Sequence, residues 1–131
     1  MRQLTLANGL ELLLLDDLDG YEGTEHDTVL VTGAHGGLLN ARRILRRPPR
    51  LVIFHDAGRG KDDSGIAGLE LLEGFNVAAA AVAHTSARIG DASDVLEHGV
   101  IAVANSHARE LGLEASAALK ESLQKLTIES D

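Results

Sequence analysis

The sequence predicts an α/β fold: a mostly parallel sheet with helices on both faces, a Rossmann-like three-layer arrangement, preceded by an N-terminal β-hairpin. Three observations predict it. Short apolar runs recur at residues 28–32 (TVLVT), 51–54 (LVIF), 76–83 (NVAAAAVA) and 100–104 (VIAVA), the continuous pattern of strands buried on both faces. Each run leads into a polar, mostly glycine-containing turn and then a stretch of helical spacing, which is the alternation of parallel sheets with right-handed crossovers. At the start, residues 3–6 and 10–15 flank Asn8-Gly9, the dipeptide suited to a type I′ hairpin turn.

In chain order, the hairpin occupies residues 1–16 and alternating strand and helix units occupy 28–131, so the whole chain, 1–131, reads as one domain. The polar stretch DDLDGYEGTEHD links the two parts. After the strand at 28–32 comes the turn Gly33-Ala34-His35-Gly36-Gly37, then a helix over 38–47 with Leu39, Ala41, Ile44 and Leu45 at helical spacing, stopped by Pro48-Pro49. The central strand at 51–54 runs into HDAGRGKDDSG, where Asp62, Asp63 or Ser64 is positioned to cap a helix starting near Gly65 and running to about Glu73, with Gly74 at its C′ end. NVAAAAVA has helical propensity, but its place between Gly74 and a polar turn, in register with the neighbouring units, predicts a strand. A short helix over 92–97 closes at Gly99, and Asn105-Ser106 caps a helix near His107. After a break at Gly112, a terminal helix is expected over 113–126.

Composition bounds the function. With 131 residues the chain can bury one sizeable core, and with no cysteine it has neither disulfides nor a thiol nucleophile. That composition, together with the lack of any apolar stretch near the ~18 residues of a membrane span, leads to the expectation of a cytoplasmic protein without a membrane partner. The formal charge of −8 opposes nucleic-acid binding, and at 2% aromatic residues there are no base-stacking platforms. The arginine cluster Arg42, Arg43, Arg46, Arg47 and Arg50 reads as a solvated helix end whose cations complement the helix dipole.

Four of the six histidines, His35, His55, His84 and His107, follow predicted strands. In open α/β sheets, ligands bind outside the carboxyl ends of the strands. Parallel strands would therefore gather His35, His55, His84 and Asn105 at one edge, with Asp56, Ser86, Arg88 and Asp91 beside them. Capping and turn-forming roles account for several such residues in any α/β protein, yet they require neither Arg88 nor four histidines. Within this set His55 or His84 is the candidate general base, Asp56 or Asp91 its orienting carboxylate, and Ser86 a candidate nucleophile outside any GxSxG elbow. Arg88 is the candidate fork for a substrate carboxylate. Gly33, His35, Gly36 and Gly37 form a turn able to cradle an anionic group, and Lys61, Asp63 and Asn105 complete the candidate ligand contacts.

Nucleotide signatures fail: Gly60-Lys61 has His55 where a P-loop needs its first glycine and Asp62 where it needs Ser or Thr, and Asp63 stands where a dinucleotide fingerprint needs its third glycine. A divalent cation held by His35, His55 and Asp56, or by His55, Asp56 and His84, is the weaker reading, because no HExxH or HxH spacing supports it; no cofactor is expected. These residues point to an enzyme domain, of hydrolase or lyase type, working by metal-independent acid-base or hydrolytic chemistry on a small carboxylate-bearing or polar molecule. The alternative is a non-catalytic ligand-binding or regulatory module, including a subunit of a larger assembly. Homo-oligomerisation is expected under both readings, since a small sheet with free edges associates readily.

Overall fold

A computed structural model of the chain describes residues 2–25 and 27–126. Among them, β1 (Arg2–Thr5), β2 (Glu11–Leu15), β3 (Val29–His35), β4 (Leu51–His55), β5 (Ala78–Val82) and β6 (Ile101–Ala104) form one sheet in consecutive order. The pairings β2–β3, β3–β4 and β4–β5 are parallel, whereas β1 and β6 run antiparallel to their neighbours. Helices α1 (Leu38–Leu45), α2 (Gly68–Gly74), α3 (Ala92–His98), α4 (Ser106–Glu110) and α5 (Leu119–Gln124) complete this mixed α/β fold. No helix among the described residues is long and apolar enough to cross a membrane.

Strand alternation separates two apolar clusters. Leu30, Val52, Phe54, Ala79 and Ala81 pack with Ala41 and Ile44 of α1 and Leu69 and Leu72 of α2. Their alternating neighbours Val29, Val31, Leu51, Ile53, Ala80 and Val82 pack with Val95 and Leu96 of α3, Ala108 of α4 and Leu123 of α5. Each fully buried Leu, Ile or Phe contributes about 1.5–3 kcal/mol. The alanines of β5 form a strand, as expected, because the ladder to β4 engages every residue from Ala78 to Val82 and outweighs alanine's preference for helix.

The last strand departs from the expected parallel sheet. Helix α3 begins beside β2 and β3, where Gly90 N–H donates to Gly33 O and Ala92 N–H to Asp16 Oδ1, and it ends beside β5, where Ala83 N–H donates to Val100 O. Seven residues span about 10 Å at 1.5 Å per residue. The helix therefore starts and finishes at the carboxyl edge, and β6 has to run back down the sheet.

Three local expectations are also corrected. The hairpin turn is not type I′: Asn8 lacks a positive φ, only Gly9 is left-handed (φ +86°), and Gly9 N–H donates to Leu6 O, the pattern of a type I turn with a glycine bulge. Neither Asp63 nor Ser64 caps α2. Asp62 and Asp63 adopt left-handed φ of 53° and 58°, so Lys61–Asp63 is only a 3-10 turn, and α2 starts at Gly68 without a side-chain cap. Gly68 is the residue that lets α2 approach α1, since a Cβ there would collide with Ala41 and with the carbonyls of Gly36 and Gly37. Finally, residues 113–118 are not helical: Ser116 N–H donates to Ile101 O and Ile101 N–H to Ala117 O, so this stretch covers the edge of β6 and α5 begins only at Leu119.

Candidate functional site

The residues after β5 form a strap along the carboxyl edge. His84 follows β5, Ala87 lies over the end of β4, Gly90 bonds to Gly33 of β3, and Ala92 reaches Asp16 beyond β2. Gly33 has to be glycine, because a Cβ would occupy the backbone positions of Gly90, Asp91 and Asp16. The other wall is the turn after β4, in which Ala57, Gly58, Arg59 and Gly60 all have positive φ. Left-handed conformation is unfavourable for Ala57 and Arg59, and backbone strain of this kind collects at functional sites.

Between strap and turn lies a cleft of about 610 Å³ lined by His55, Ala57, Gly58, His84, Thr85, Ser86, Ala87, Arg88, Ile89 and Asp94. Asp56, between the lining residues His55 and Ala57 but not itself in the lining, is 3% exposed. Its Oδ1 accepts hydrogen bonds from Gly58 N (2.8 Å) and His84 N (2.9 Å) and lies 3.3 Å from His84 Nδ1. The Nδ1 contact is within ion-pair distance without the alignment of a hydrogen bond, and Nε2 of the exposed His84 ring makes no hydrogen bond among the described residues.

The other candidate base is engaged differently. His55 is 2% exposed; its Nδ1 accepts from Ala57 N (2.8 Å), so its Nε2 carries hydrogen and donates to Ala87 O (2.8 Å). It ties turn to strap with both nitrogens. Ser86 is also committed to the main chain, donating to Ala83 O (2.7 Å) and accepting from Val100 N (2.9 Å).

Arg88 is exposed, and its guanidinium forms no hydrogen bond or ion pair among the described residues. Asp91 instead caps α3 through Asp94 N–H (3.0 Å). Asp94 holds the strap: its Oδ2 accepts from Arg88 N (2.7 Å) and its Oδ1 from His98 Nδ1 (2.8 Å). The Arg88 main-chain bond, followed by the His98 side-chain bond, holds the Asp94 carboxyl below the usual range, with the Arg88 and His98 charges adding to the effect.

The strap divides what a parallel sheet alone would leave as one crevice. Gly33 and His35 line a second cleft of about 370 Å³ together with Asp16, Asp17, Asp19, Leu39, Asn40, Arg43, Ile89 and Gly90. Gly36 and Gly37 are buried structural contacts, with Gly36 N–H donating to Gly65 O and Gly37 N–H to His35 Nδ1. Lys61 lies on the exposed 3-10 turn, and Asp63 pairs with Arg59 (3.2 Å) and borders a separate groove with Asn105.

Asn105 is a correction to the predicted convergence. Because β6 is antiparallel, Asn105 sits at the amino edge of β5. There its Oδ1 accepts from Ala79 N and Ala108 N, and its Nδ2 donates to Val77 O and Leu69 O. His107 is beside it, 3.2 Å from Glu73 O. The predicted trios for a divalent cation do not form: among the described residues no three His, Asp or Glu side chains converge on a possible ion position. Sequence reasoning passed over Thr85, Ile89, Asp94 and Asp16. The i, i+4 spacing of Asp94 and His98 and the place of Asp16 directly after a strand were the available signals.

Comparison with family models, with curated proteins and with solved structures finds no match.

Proposed function

We propose that the chain is a small-molecule enzyme domain in which His84 is the general base, Asp56 orients it, and Arg88 holds an anionic group of the substrate. The observation that carries this reading is the Asp56–His84 pair: a buried carboxylate fixed by two main-chain N–H groups beside an exposed imidazole that lines a cleft. In the forward step His84 Nε2 takes a proton from a water molecule or from the substrate while Nδ1 stays within ion-pair distance of Asp56, so the imidazolium that forms is stabilised without proton transfer to the carboxylate. Since the Ser86 hydroxyl is committed to Ala83 O and Val100 N, water-mediated hydrolysis or proton abstraction fits better than acyl transfer to serine. The guanidinium of Arg88 offers two parallel N–H bonds to a carboxylate.

The test is a turnover screen of carboxylate-bearing esters, amides and hydroxy acids. His84→Gln should abolish turnover. Asp56→Asn keeps an oxygen for Gly58 and His84 N–H, so it should fold and lose on the order of 100-fold or more in rate. Arg88→Lys should fold normally and lose about 1.5–3 kcal/mol in carboxylate binding. Carboxylates that bind this cleft but are converted by no variant, wild type included, would establish the binding-module alternative instead.

A further inference from the structure

The sheet ends laterally in β1 and β6, and the two end strands differ. Along β6, Ser116 N–H donates to Ile101 O, Ile101 N–H donates to Ala117 O, and the Arg109 guanidinium donates to Ala104 O. Its outer side is closed. β1 pairs with β2 alone, and among the described residues no main-chain group bonds to its outer side.

The register decides which groups point outward. Leu6 N–H donates to Leu10 O in continuation of the β1–β2 register, so Leu4 with Leu12 and Arg2 with Leu14 are the hydrogen-bonded pairs of the alternating antiparallel ladder. Gln3 and Thr5 fall between them. Their N–H and C=O groups are therefore directed away from β2, into solvent. Natural edge strands are commonly blunted by Lys, Pro, a bulge or an inward-pointing charge. Residues 2–6, RQLTL, contain no Lys or Pro, and their register is unbroken. The one charge, on Arg2, is drawn onto α3, with Nη2 donating to Ser93 Oγ (2.6 Å). Leu4 and Leu6 are only partly buried against the cluster that includes α3 and α5, so a strand laid along β1 would complete their cover.

We propose that the outer side of β1 pairs antiparallel with β1 of a second copy of this chain, joining two sheets into one continuous sheet. The occupant follows from the closed side of β6: a second copy has only its own β1 to offer, so the contact is isologous and stops at a dimer. A two-fold axis through Leu4 sets Gln3 opposite Thr5 of the second copy and Thr5 opposite its Gln3, which engages every outward main-chain group of the two strands. Leu4 then faces its own counterpart, and Arg2 faces Leu6. No like charges meet. The chain carries a net charge of −8, but residues 2–6 include no carboxylate, and Glu11 on the neighbouring strand already accepts from Thr5 Oγ1 (3.1 Å).

A contact of this size belongs to the small, reversible class of interfaces. Sedimentation velocity of the full chain between about 1 µM and 1 mM should therefore show monomer giving way to dimer and to nothing larger. Gln3→Pro removes an outward N–H and leaves the β1–β2 ladder bonded, a substitution that edge strands tolerate, so it should stay monomeric. Gln3→Ala keeps that N–H and should dimerise like the wild type. Leu4→Lys and Leu4→Glu test the axis itself, because each sets like charges opposite one another: alone each should be monomeric, and an equimolar mixture should dimerise. Circular dichroism checks that each variant is folded; should Gln3→Pro unfold, the Leu4 pair decides. A wild type that stays monomeric or grows beyond a dimer overturns the proposal, as does a folded Gln3→Pro that dimerises normally, or a Leu4 mixture that remains monomeric.

Discussion

The two edges of the sheet carry similar polar residues and use them differently. At the amino edge of β5, Asn105 commits both of its amide atoms to four main-chain groups, and its neighbour His107 contacts Glu73 O. At the carboxyl edge, Asp56 and His55 are equally buried and committed to the main chain. What they support is less committed: His84 Nε2 and the Arg88 guanidinium accept or donate no hydrogen bond among the described residues. Among the described residues every buried side-chain polar atom is paired, so the contrast lies in what reaches solvent: one edge is closed by its own hydrogen bonds, and the other leaves exposed polar groups against a cleft. The difference lies in how many hydrogen bonds are left over, not in which residue types are present.

Asn105→Ala should sharpen this contrast most. It leaves Ala79 N–H, Ala108 N–H and Val77 O buried without their partner, and should cost about 4 kcal/mol in urea unfolding, with carboxylate affinity unchanged in the folded fraction. A loss below about 1 kcal/mol would mean that water replaces the side chain and that the amino edge is more open than its hydrogen bonds indicate.

Gly33→Ala probes the strap from beneath. The added methyl meets only backbone, that of Gly90, Asp91 and Asp16, so the strap has to lift. Overpacking of this kind should cost about 2 kcal/mol and speed hydrogen exchange at the Gly90 amide, which is bonded to Gly33 O. Unchanged exchange at Gly90 would show that β3 gives way rather than the strap.

Acidification should weaken the same element. The carboxyl of Asp94 is held below its ordinary range first by the Arg88 main-chain N–H. A group whose folded pKa is depressed contributes stability above its unfolded value, near 4, and that contribution is lost as pH falls through the lower folded value. Stability measured from pH 7 down to pH 3 should therefore fall more steeply in the wild type than in Asp94→Asn, and parallel curves would remove Asp94 as the anchor of the strap.

Most of the edge that carries the candidate site was legible in the sequence because it follows from local pattern. The β-branched and aliphatic runs gave β3 and β4, Asp91 gave the start of α3, and parallel order brought His35, His55, Asp56, His84, Ser86 and Arg88 to one edge. Two things had no local signal. The reversal of β6 depends on the path of α3 across the sheet, which follows from packing of Val95 and Leu96 and not from spacing. The division of labour between His55 and His84 depends on which nitrogen meets Ala57 N–H and which meets Asp56, a matter of ångströms between loops distant in sequence. Asp62 and Asp63 misled for a related reason: Asp is a good helix cap and also tolerates left-handed backbone, and the Gly36–Gly65–Gly68 contacts select the second role.

The smallest expected effect bears on whether the turn after β4 is strained for the sake of the cleft. Ala57 has φ +53° and lines the cleft between Asp56 and Gly58. Left-handed backbone costs a residue with a Cβ roughly 1–2 kcal/mol, whereas glycine gives back about 0.5–1 kcal/mol through the greater freedom of its unfolded chain. Ala57→Gly should therefore stabilise the protein by about 0.5 kcal/mol. Arg59, also left-handed at φ +68° but outside the cleft lining, is the control, and Arg59→Gly should gain a similar amount less its exposed pairing with Asp63. The two should part in function. Ala57 N–H is held by His55 Nδ1 and the next N–H by Asp56, so a looser residue at 57 lets the Asp56 carboxylate wander from His84 and should weaken turnover or carboxylate binding by severalfold, while Arg59→Gly leaves both intact. Equal functional losses in the two variants, or none in either, would mean that the strain at residue 57 is incidental to the carboxyl-edge cleft.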